Sequence, residues 1–196
     1  LITDAIMWKF NPDVALSNGF RFCQPLAIPP GQTSAAITKD FLWNMLPVDT
    51  EAKMATASGT QLLAWLEKEL ENAFAKDISK RFGGWFVRFA GMQVNFTIDR
   101  PYGSRVNWVL IGGKPLEPGK DYRIAACERE GDPDDMLCRM EQVKEQHTTG
   151  VLMHRLIEEY LAYKGTVSPV MEQRATATDA PHTLLTQLRG TSYAFR

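Results

Sequence analysis

Residues 52–73 read AKMATASGTQLLAWLEKELENA and join two kinds of element across one short boundary. The part up to Ala57 is a candidate strand, and Ser58 with Gln61 three residues later forms a capping-box pattern, which begins a helix. Apolar residues then recur at helical spacing on one face, at Leu62, Leu63, Leu66, Leu70 and Ala73. We expect the charged residues of this helix to be solvated, namely Glu67, Lys68, Glu69 and Glu71. The stretch predicts a strand that leads directly into a helix packed on a core.

Three further elements are predicted before this stretch. Apolar residues recur every fourth position in residues 1–10 and indicate a helix. The apolar run 14–16 indicates a short buried strand. Thr38 is a suitable N-cap for a short helix that extends to Met45.

Short segments with glycine turns between them follow the helix. Residues 85–99, 105–111 and 122–127 are predicted strands, and the first of these segments is hinged at Gly91. Such a series of short strands is typical of an antiparallel arrangement.

The last predicted element is a helix that Thr148 or Thr149 caps and Gly165 ends. Together the elements predict an α+β domain, with a mixed sheet flanked by helices, over residues 1–165. Residues 166–196 are polar and lack strong periodicity, so we expect a C-terminal extension that packs on the domain or on a partner.

The composition excludes several classes of protein. The chain has 196 residues, of which 22 are Lys or Arg and 23 are Asp or Glu, so we expect no nucleic-acid partner and no membrane partner. Its apolar runs reach only about four or five residues, whereas a membrane helix needs about 20. The sequence begins at Leu1 without a signal-peptide pattern, and we expect a processed product or a piece of a longer protein.

The cysteines leave two alternatives open. Cys23, Cys127 and Cys138 are too widely spaced for a redox pair or a zinc knuckle. Buried thiols are one interpretation, and a disulfide between Cys127 and Cys138 in an oxidising compartment is the other.

Two polar loops follow predicted strands and are candidates for a binding site. The first, Asn18 to Arg21, offers an amide and a guanidinium group, which suits an oxyanion such as sulfonate or phosphate. The second, residues 128–135, is acidic but lacks the spacing of a calcium loop. The alternative for the first loop is an ordinary turn whose arginine forms a salt bridge, and the alternative for the second is a solvated acidic loop. No set of nucleophile, base and orienting residue is recognisable, so no catalytic or metal-ligating residue is assigned in this chain.

The order of several motifs points to a known family. Each is weak alone: LITDA at 1–5, ALSNGFR at 15–21, ITKD at 37–40, ASGT at 57–60 and GKPL at 113–116. Taken in this order, residues 1–135 resemble the C-terminal domain of the 5′-nucleotidase family.

The resemblance implies that catalysis and substrate binding lie in different domains of the whole protein. An N-terminal metallophosphatase domain, absent from this chain, would hold two metal ions and hydrolyse the substrate, and the C-terminal domain would bind the part of the substrate that sets specificity. Asn18 and Arg21, with Gly19 and Phe20 between them, match the family's substrate loop, which is two residues shorter here. Asp132 matches an aspartate of a second family motif.

Two departures from the family pattern concern the substrate. Nucleotidases of the family stack the purine between two phenylalanines, and the matching positions here are Val48 and Arg129. Stacking contributes about 1–3 kcal/mol per base, so much of a base site is lost. Arg129 instead favours an anionic or protein-borne substrate.

Three further runs are similar to the SoxB branch of the family, the sulfate thiohydrolases: SNGFRF at 17–22, GDPDD at 131–135 and GTSYAFR at 190–196. This resemblance implies a dimanganese centre in the N-terminal domain, a periplasmic location, and a sulfur carrier protein with a cysteine-bearing arm as the partner. It implies substrate-binding roles for Asn18, Gly19, Phe20, Arg21, Arg129 and Asp132, and an inactive chain when the N-terminal domain is missing.

Two other functions remain open from the sequence. One is the specificity domain of a 5′-nucleotidase or related phosphoesterase with an unusual base pocket. The other is a non-catalytic binding module.

Overall fold

Two β-sheets and four α-helices make up the part of the chain that the computed structural model describes, which is residues 1–18, 25–82, 86–127, 129, 131–168, 170 and 172–180. The helices are α1 (Ile2–Phe10), α2 (Lys39–Met45), α3 (Gly59–Phe74) and α4 (Met153–Lys164). The strands are β1 (Val14–Ser17), β2 (Glu51–Ser58), β3 (Arg88–Ala90), β4 (Met92–Phe96), β5 (Val106–Ile111), β6 (Lys114–Pro115), β7 (Asp121–Cys127), β8 (Lys144–Leu152) and β9 (Ala175–Ala177). The predicted α+β class with mixed sheets is confirmed.

The first sheet has the order β3-β1-β7-β2-β8, and β1 with β7 is its parallel pair. Its two faces carry separate cores because successive strand residues point to opposite sides. On β1, Val14 and Leu16 face the core that contains α3 and the second sheet, whereas Ala15 faces the core that contains α1 and α4. All four residues of β1 are buried, which explains the continuous apolar run in the sequence.

The second sheet has the order β6-β5-β4-β9. Gly91 connects β3 of the first sheet to β4 of the second, as the predicted hinge requires, and its φ of 80° lies in the region that favours glycine. The short strand β9 lies parallel to β4, with Asn95 opposite Thr176, so residues 175–177 pack on the domain.

The capping box of α3 is confirmed in both directions. The Gln61 amide donates to Ser58 Oγ at 3.2 Å, and the Ser58 amide donates to Gln61 Oε1 at 2.9 Å. Leu62, Leu66 and Leu70 are fully buried, and burial of such a side chain contributes about 1.5–3 kcal/mol. Leu63 is 37% exposed, so its assignment to the buried face was wrong.

The prediction that the acids of α3 are all solvated was also wrong. Glu67 and Glu69 are buried, with 6% and 0% exposure. Glu67 accepts hydrogen bonds from the amides of Gly103 and Val106, and Glu69 pairs with Arg139. These partners lie far along the chain, so helical periodicity gives no sign of them.

The start of the last helix also differs from the prediction. Residues 144–152 form strand β8, with His147 opposite Met54, and α4 begins only at Met153. Neither threonine is its N-cap, because Leu152 occupies that position without a side-chain hydrogen bond. Gly165 ends the helix as predicted, and its amide donates to the carbonyl of Leu161 at 2.8 Å.

Candidate functional site

The ends of three neighbouring strands bring the candidate residues to one edge of the first sheet. Leu16 of β1 lies opposite Ala126 of the parallel strand β7, so both strands end at the same place. The strand β2 runs antiparallel to β7, with Ala52 opposite Cys127, and therefore begins there. We call this place, where β1 and β7 end and β2 begins, the candidate edge. Carboxyl ends of parallel strands commonly carry ligand sites because the loops that leave them converge.

Three of the six predicted substrate residues lie in the described part of the chain. Asn18 directly follows β1 and is half-buried, and Arg129 and Asp132 follow β7. All three are therefore connected to the candidate edge. Gly19, Phe20 and Arg21 lie outside the described residues.

Arg129 and Asp132 are joined by a backbone hydrogen bond and an ion pair. The Asp132 amide donates to the Arg129 carbonyl at 3.2 Å, and Arg129 Nε lies 3.7 Å from Asp132 Oδ1. The arginine side chain is 65% exposed and the aspartate side chain only 16%. The carboxylate can thus orient the guanidinium group while most of the group faces solvent. A guanidinium group in this position can bind an oxyanion through two parallel hydrogen bonds.

The loop before β2 brings Val48 to the same edge. Leu46, at the end of α2, is buried in the core, whereas Val48 is 62% exposed three residues before β2 begins. Val48 and Arg129 thus occupy the two positions that match the stacking phenylalanines of the family's nucleotidases.

A polar cleft that the sequence did not reveal lies beside these loops. It has a volume of about 330 Å³ and is lined by Lys53, Asp134, Gln146, His147 and Thr148. Lys53 of β2 lies opposite Thr148 of β8 on one side and Ala126 of β7 on the other, so the cleft adjoins the candidate edge. A lysine within a strand of small apolar residues is the one signal that could have indicated it. Ammonium, carboxylate, imidazole, amide and hydroxyl groups in one cleft offer both donors and acceptors to a polar or peptide-like ligand.

The two described cysteines are not bonded to each other. Cys127 ends β7 at the candidate edge and packs against the core of α1 and α4, whereas Cys138 packs against the core of α3 and the second sheet, and the two do not form a disulfide pair. The alternative of a disulfide between them is therefore not what the structure shows. Cys23 lies outside the described residues.

Within the described ranges, no group of three or more His, Cys, Asp or Glu side chains is arranged to hold a metal ion. None of the described helices is both long and apolar enough to cross a membrane.

Three solved structures are similar to this chain over most of its length. Thermus thermophilus SoxB, a sulfate thiohydrolase solved with glycerol, is 27% identical with a TM-score of 0.74, and the match covers 93% of this chain and 32% of that one. A 5′-nucleotidase precursor, also from Thermus thermophilus, is 23% identical with a TM-score of 0.72, over 92% of this chain and 35% of that one. The Haemophilus influenzae NAD nucleotidase is 14% identical with a TM-score of 0.65, over 90% and 32% of the two chains. The chain thus spans about a third of the length of these proteins.

Comparison with curated protein sequences finds no significant match. The sequence profile of 5′-nucleotidase C-terminal domains matches residues 1–128. The chain therefore belongs to the family of 5′-nucleotidase C-terminal domains.

Proposed function

We propose that this chain is the substrate-binding domain of a SoxB-like thiosulfohydrolase, which hydrolyses a cysteine S-thiosulfonate on a carrier protein and releases sulfate. In this reaction the bond between the sulfonate and its neighbouring sulfur breaks, water supplies the fourth oxygen of sulfate, and the cysteine keeps a persulfide. The observation that carries the proposal is the pair Val48 and Arg129 at the candidate edge, since neither an exposed valine nor an exposed arginine offers an aromatic ring to stack on a purine.

Two further observations support the proposal. The 27% identity to Thermus thermophilus SoxB extends over 93% of the chain. The side chains that line the cleft beside the candidate edge are polar or charged and include no aromatic ring, which suits a peptide arm better than a purine.

The remaining parts of the enzyme are proposed to lie outside this chain. An N-terminal metallophosphatase domain would hold the dimanganese centre, which would supply the activated water. Residues 1–165 would form the binding domain and 166–196 an extension from it. The proposed location is the periplasm, where the sulfur carrier protein with its cysteine-bearing arm would be the partner.

Individual roles follow from the charges at the edge. Arg129, oriented by Asp132, would bind the sulfonate or the arm of the carrier. Asn18, Gly19, Phe20 and Arg21 would also bind the substrate, as the resemblance to the family's substrate loop implies.

The parent enzyme, loaded with manganese, tests the proposal with two substrates measured side by side. Carrier protein with an S-thiosulfonated cysteine should give sulfate, and AMP should give no phosphate. Phosphate without sulfate would refute the proposal and would mean that a purine binds without stacking rings.

Arg129→Ala should raise KM for the carrier by about tenfold, because one charge-assisted hydrogen bond is lost. The matched control is Arg155→Ala, which removes an exposed arginine that pairs with Glu159 on α4. Equal KM values for the two variants would remove Arg129 from the site.

A further inference from the structure

The first turn of α4 takes its caps from a distant loop. The amide of His154 donates to Asp49 Oδ1 at 2.9 Å, and the amide of Met153 donates to the carbonyl of Thr50 at 3.0 Å. Since Leu152 offers no side-chain cap, these contacts satisfy two N–H groups that a helix leaves unpaired at its start. A carboxylate at this end is also favoured by the helix dipole.

The side chain of His154 holds the other end of the same loop. It is buried, and its Nε2 lies 2.7 Å from the carbonyl oxygen of Leu46. Because a carbonyl can only accept, Nε2 carries the hydrogen. The Nδ1 atom lies 3.6 Å from Asp49 Oδ2, and the imidazole packs nearly perpendicular to the ring of Trp43, with 4.0 Å between ring centroids.

These contacts flank two exposed residues, Pro47 and Val48. They fix Leu46 on one side and Asp49 with Thr50 on the other, while Val48 between them is 62% exposed at the candidate edge. The loop is therefore held by its ends, and the middle is presented outward.

We propose that His154 and Asp49 are positioning residues, which fix the loop 46–50 and thereby the shape of the candidate edge. The helix that carries His154 lies beyond residues 1–128, the part that matches the family profile. An element outside the matched segment thus sets the conformation of a specificity loop inside it. The effect on substrate rests on the proposed function, whereas the effect on the loop does not.

Release of the loop is expected to leave the fold intact. The strand β2 that follows the loop pairs with both β7 and β8, and the apolar face of α4 is buried in the core, so neither element depends on the loop alone. Loss of a cap costs about 1 kcal/mol. The variants should therefore fold, with a loop that samples more than one conformation.

The test uses two variants at each position, one that removes the contact and one that keeps it. His154→Leu removes the donor to Leu46, and His154→Gln keeps an amide N–H at similar reach. Asp49→Ala removes the cap, and Asp49→Asn keeps an acceptor oxygen. The matched control is Asp179→Ala, which removes a carboxylate that accepts from the amides of Ile98 and Asp99 beside the second sheet.

Two readouts are measured: amide hydrogen exchange of the chain, and KM with kcat of the parent enzyme on S-thiosulfonated carrier protein. His154→Leu and Asp49→Ala should exchange faster only at residues 46–50 and at His154. Their KM should rise about tenfold with kcat within about twofold, as expected for a loosened binding loop. The Gln and Asn variants should remain near wild type, and Asp179→Ala should change exchange only at residues 98 and 99.

Unchanged exchange at residues 46–50 in His154→Leu would overturn the proposal. Faster exchange with an unchanged KM would also overturn it, because the loop would then not shape the binding edge. If the wild-type parent releases no sulfate, the proposed function fails, and the exchange readout still decides whether His154 and Asp49 hold the loop.

Discussion

At the scale of single residues, the ion pair of Glu69 and Arg139 joins α3 to a tight turn. Glu69 is fully buried, and Arg139 Nε donates to its carboxylate at 3.0 Å. Burial raises the pKa of Glu69 above its ordinary value of 4.5, against the lowering effect of the Arg139 charge and its hydrogen bonds. The carboxylate therefore depends on its arginine partner to remain charged in the core.

Arg139→Met should lower the free energy of unfolding at pH 7 by about 3–5 kcal/mol, because it leaves a buried charge without its partner. Without Arg139 the pKa of Glu69 rises further, so the folded state takes up a proton more readily than the unfolded chain. The loss should therefore shrink as the pH falls from 7 toward 5. Urea denaturation at both pH values measures it.

Lys68→Ala is the control for that experiment, since Lys68 lies on the same helix as Glu69 and its ion pair with Glu141 is exposed. It should change stability little at either pH. A deficit of Arg139→Met that stayed constant with pH would contradict the role assigned to Glu69.

The same pair shows where sequence-based prediction fails at this scale. The periodicity of α3 identified Leu62, Leu66 and Leu70 correctly, because that pattern is local. Glu69 was predicted to be solvated because it lies off the apolar face of the helix. It is buried instead, because the tertiary fold brings Arg139 beside its carboxylate. The candidate loops were found because polar residues follow strands, but the cleft depends on Lys53 and Thr148 from strands that are distant in sequence.

At the scale of elements, local caps could be predicted and remote ones could not. Ser58 and Gln61 are three residues apart, so the start of α3 is visible in the sequence. The cap of α4 comes from Asp49, and its start was therefore misplaced.

The turn at Leu137–Met140 is a similar case. Cys138 and Arg139 have φ of 51° and 65°, a conformation that usually selects Asn-Gly. Here the turn is held by Arg139 on Glu69 and by Trp65 Nε1, which donates to the carbonyl of Cys138 at 3.0 Å. Long-range contacts therefore replace the usual turn residues.

Gly91→Ala should destabilise the connection between the two sheets. A Cβ at Gly91 would lie 2.3 Å from the carbonyl oxygen of Asp13, and its φ is +80°. The left-handed conformation alone costs alanine about 1–2 kcal/mol, and the clash with backbone adds to that cost. Thermal and chemical denaturation should show the larger loss for Gly91→Ala than for Gly113→Ala.

Gly113 is the matched control because its φ is +78° and no atom lies within 4 Å of an added Cβ. It separates the cost of the backbone conformation from the cost of the contact. Similar losses for the two variants would show that the chain near Asp13 moves freely, which the buried strand β1 argues against.

At the scale of the whole molecule, Arg174 ties the C-terminal segment to both sheets. Its guanidinium group donates to the carbonyl of Phe89 on β3 at 3.0 Å and to Asp4 on α1 at 2.5 Å. Its own carbonyl accepts from the amide of Val94 on β4 at 2.8 Å. One residue thus contacts the first sheet, the helix that covers it, and the second sheet.

Arg174→Ala should lower stability by about 1–2 kcal/mol, because a partly buried cation loses hydrogen bonds to charged and neutral acceptors. It should also speed exchange of the Thr178 amide, which donates to the carbonyl of Phe96 at 2.8 Å. Hydrogen exchange followed by mass spectrometry measures this, and exchange at the β2 and β7 amides serves as the internal reference. Unchanged exchange at Thr178 would mean that β9 is held without Arg174.

The position of β1 in its sheet imposes an order of events during synthesis. Ala15 lies between Ala90 on one side and Ala125 on the other, so β1 cannot complete its pairing until β7 has been made. Closing so long a loop costs entropy before any contact is gained, and such topologies fold slowly. Within this domain β1 is therefore made well before its parallel partner, and the time for which its apolar residues stay uncovered is set by the rate of translation up to β7.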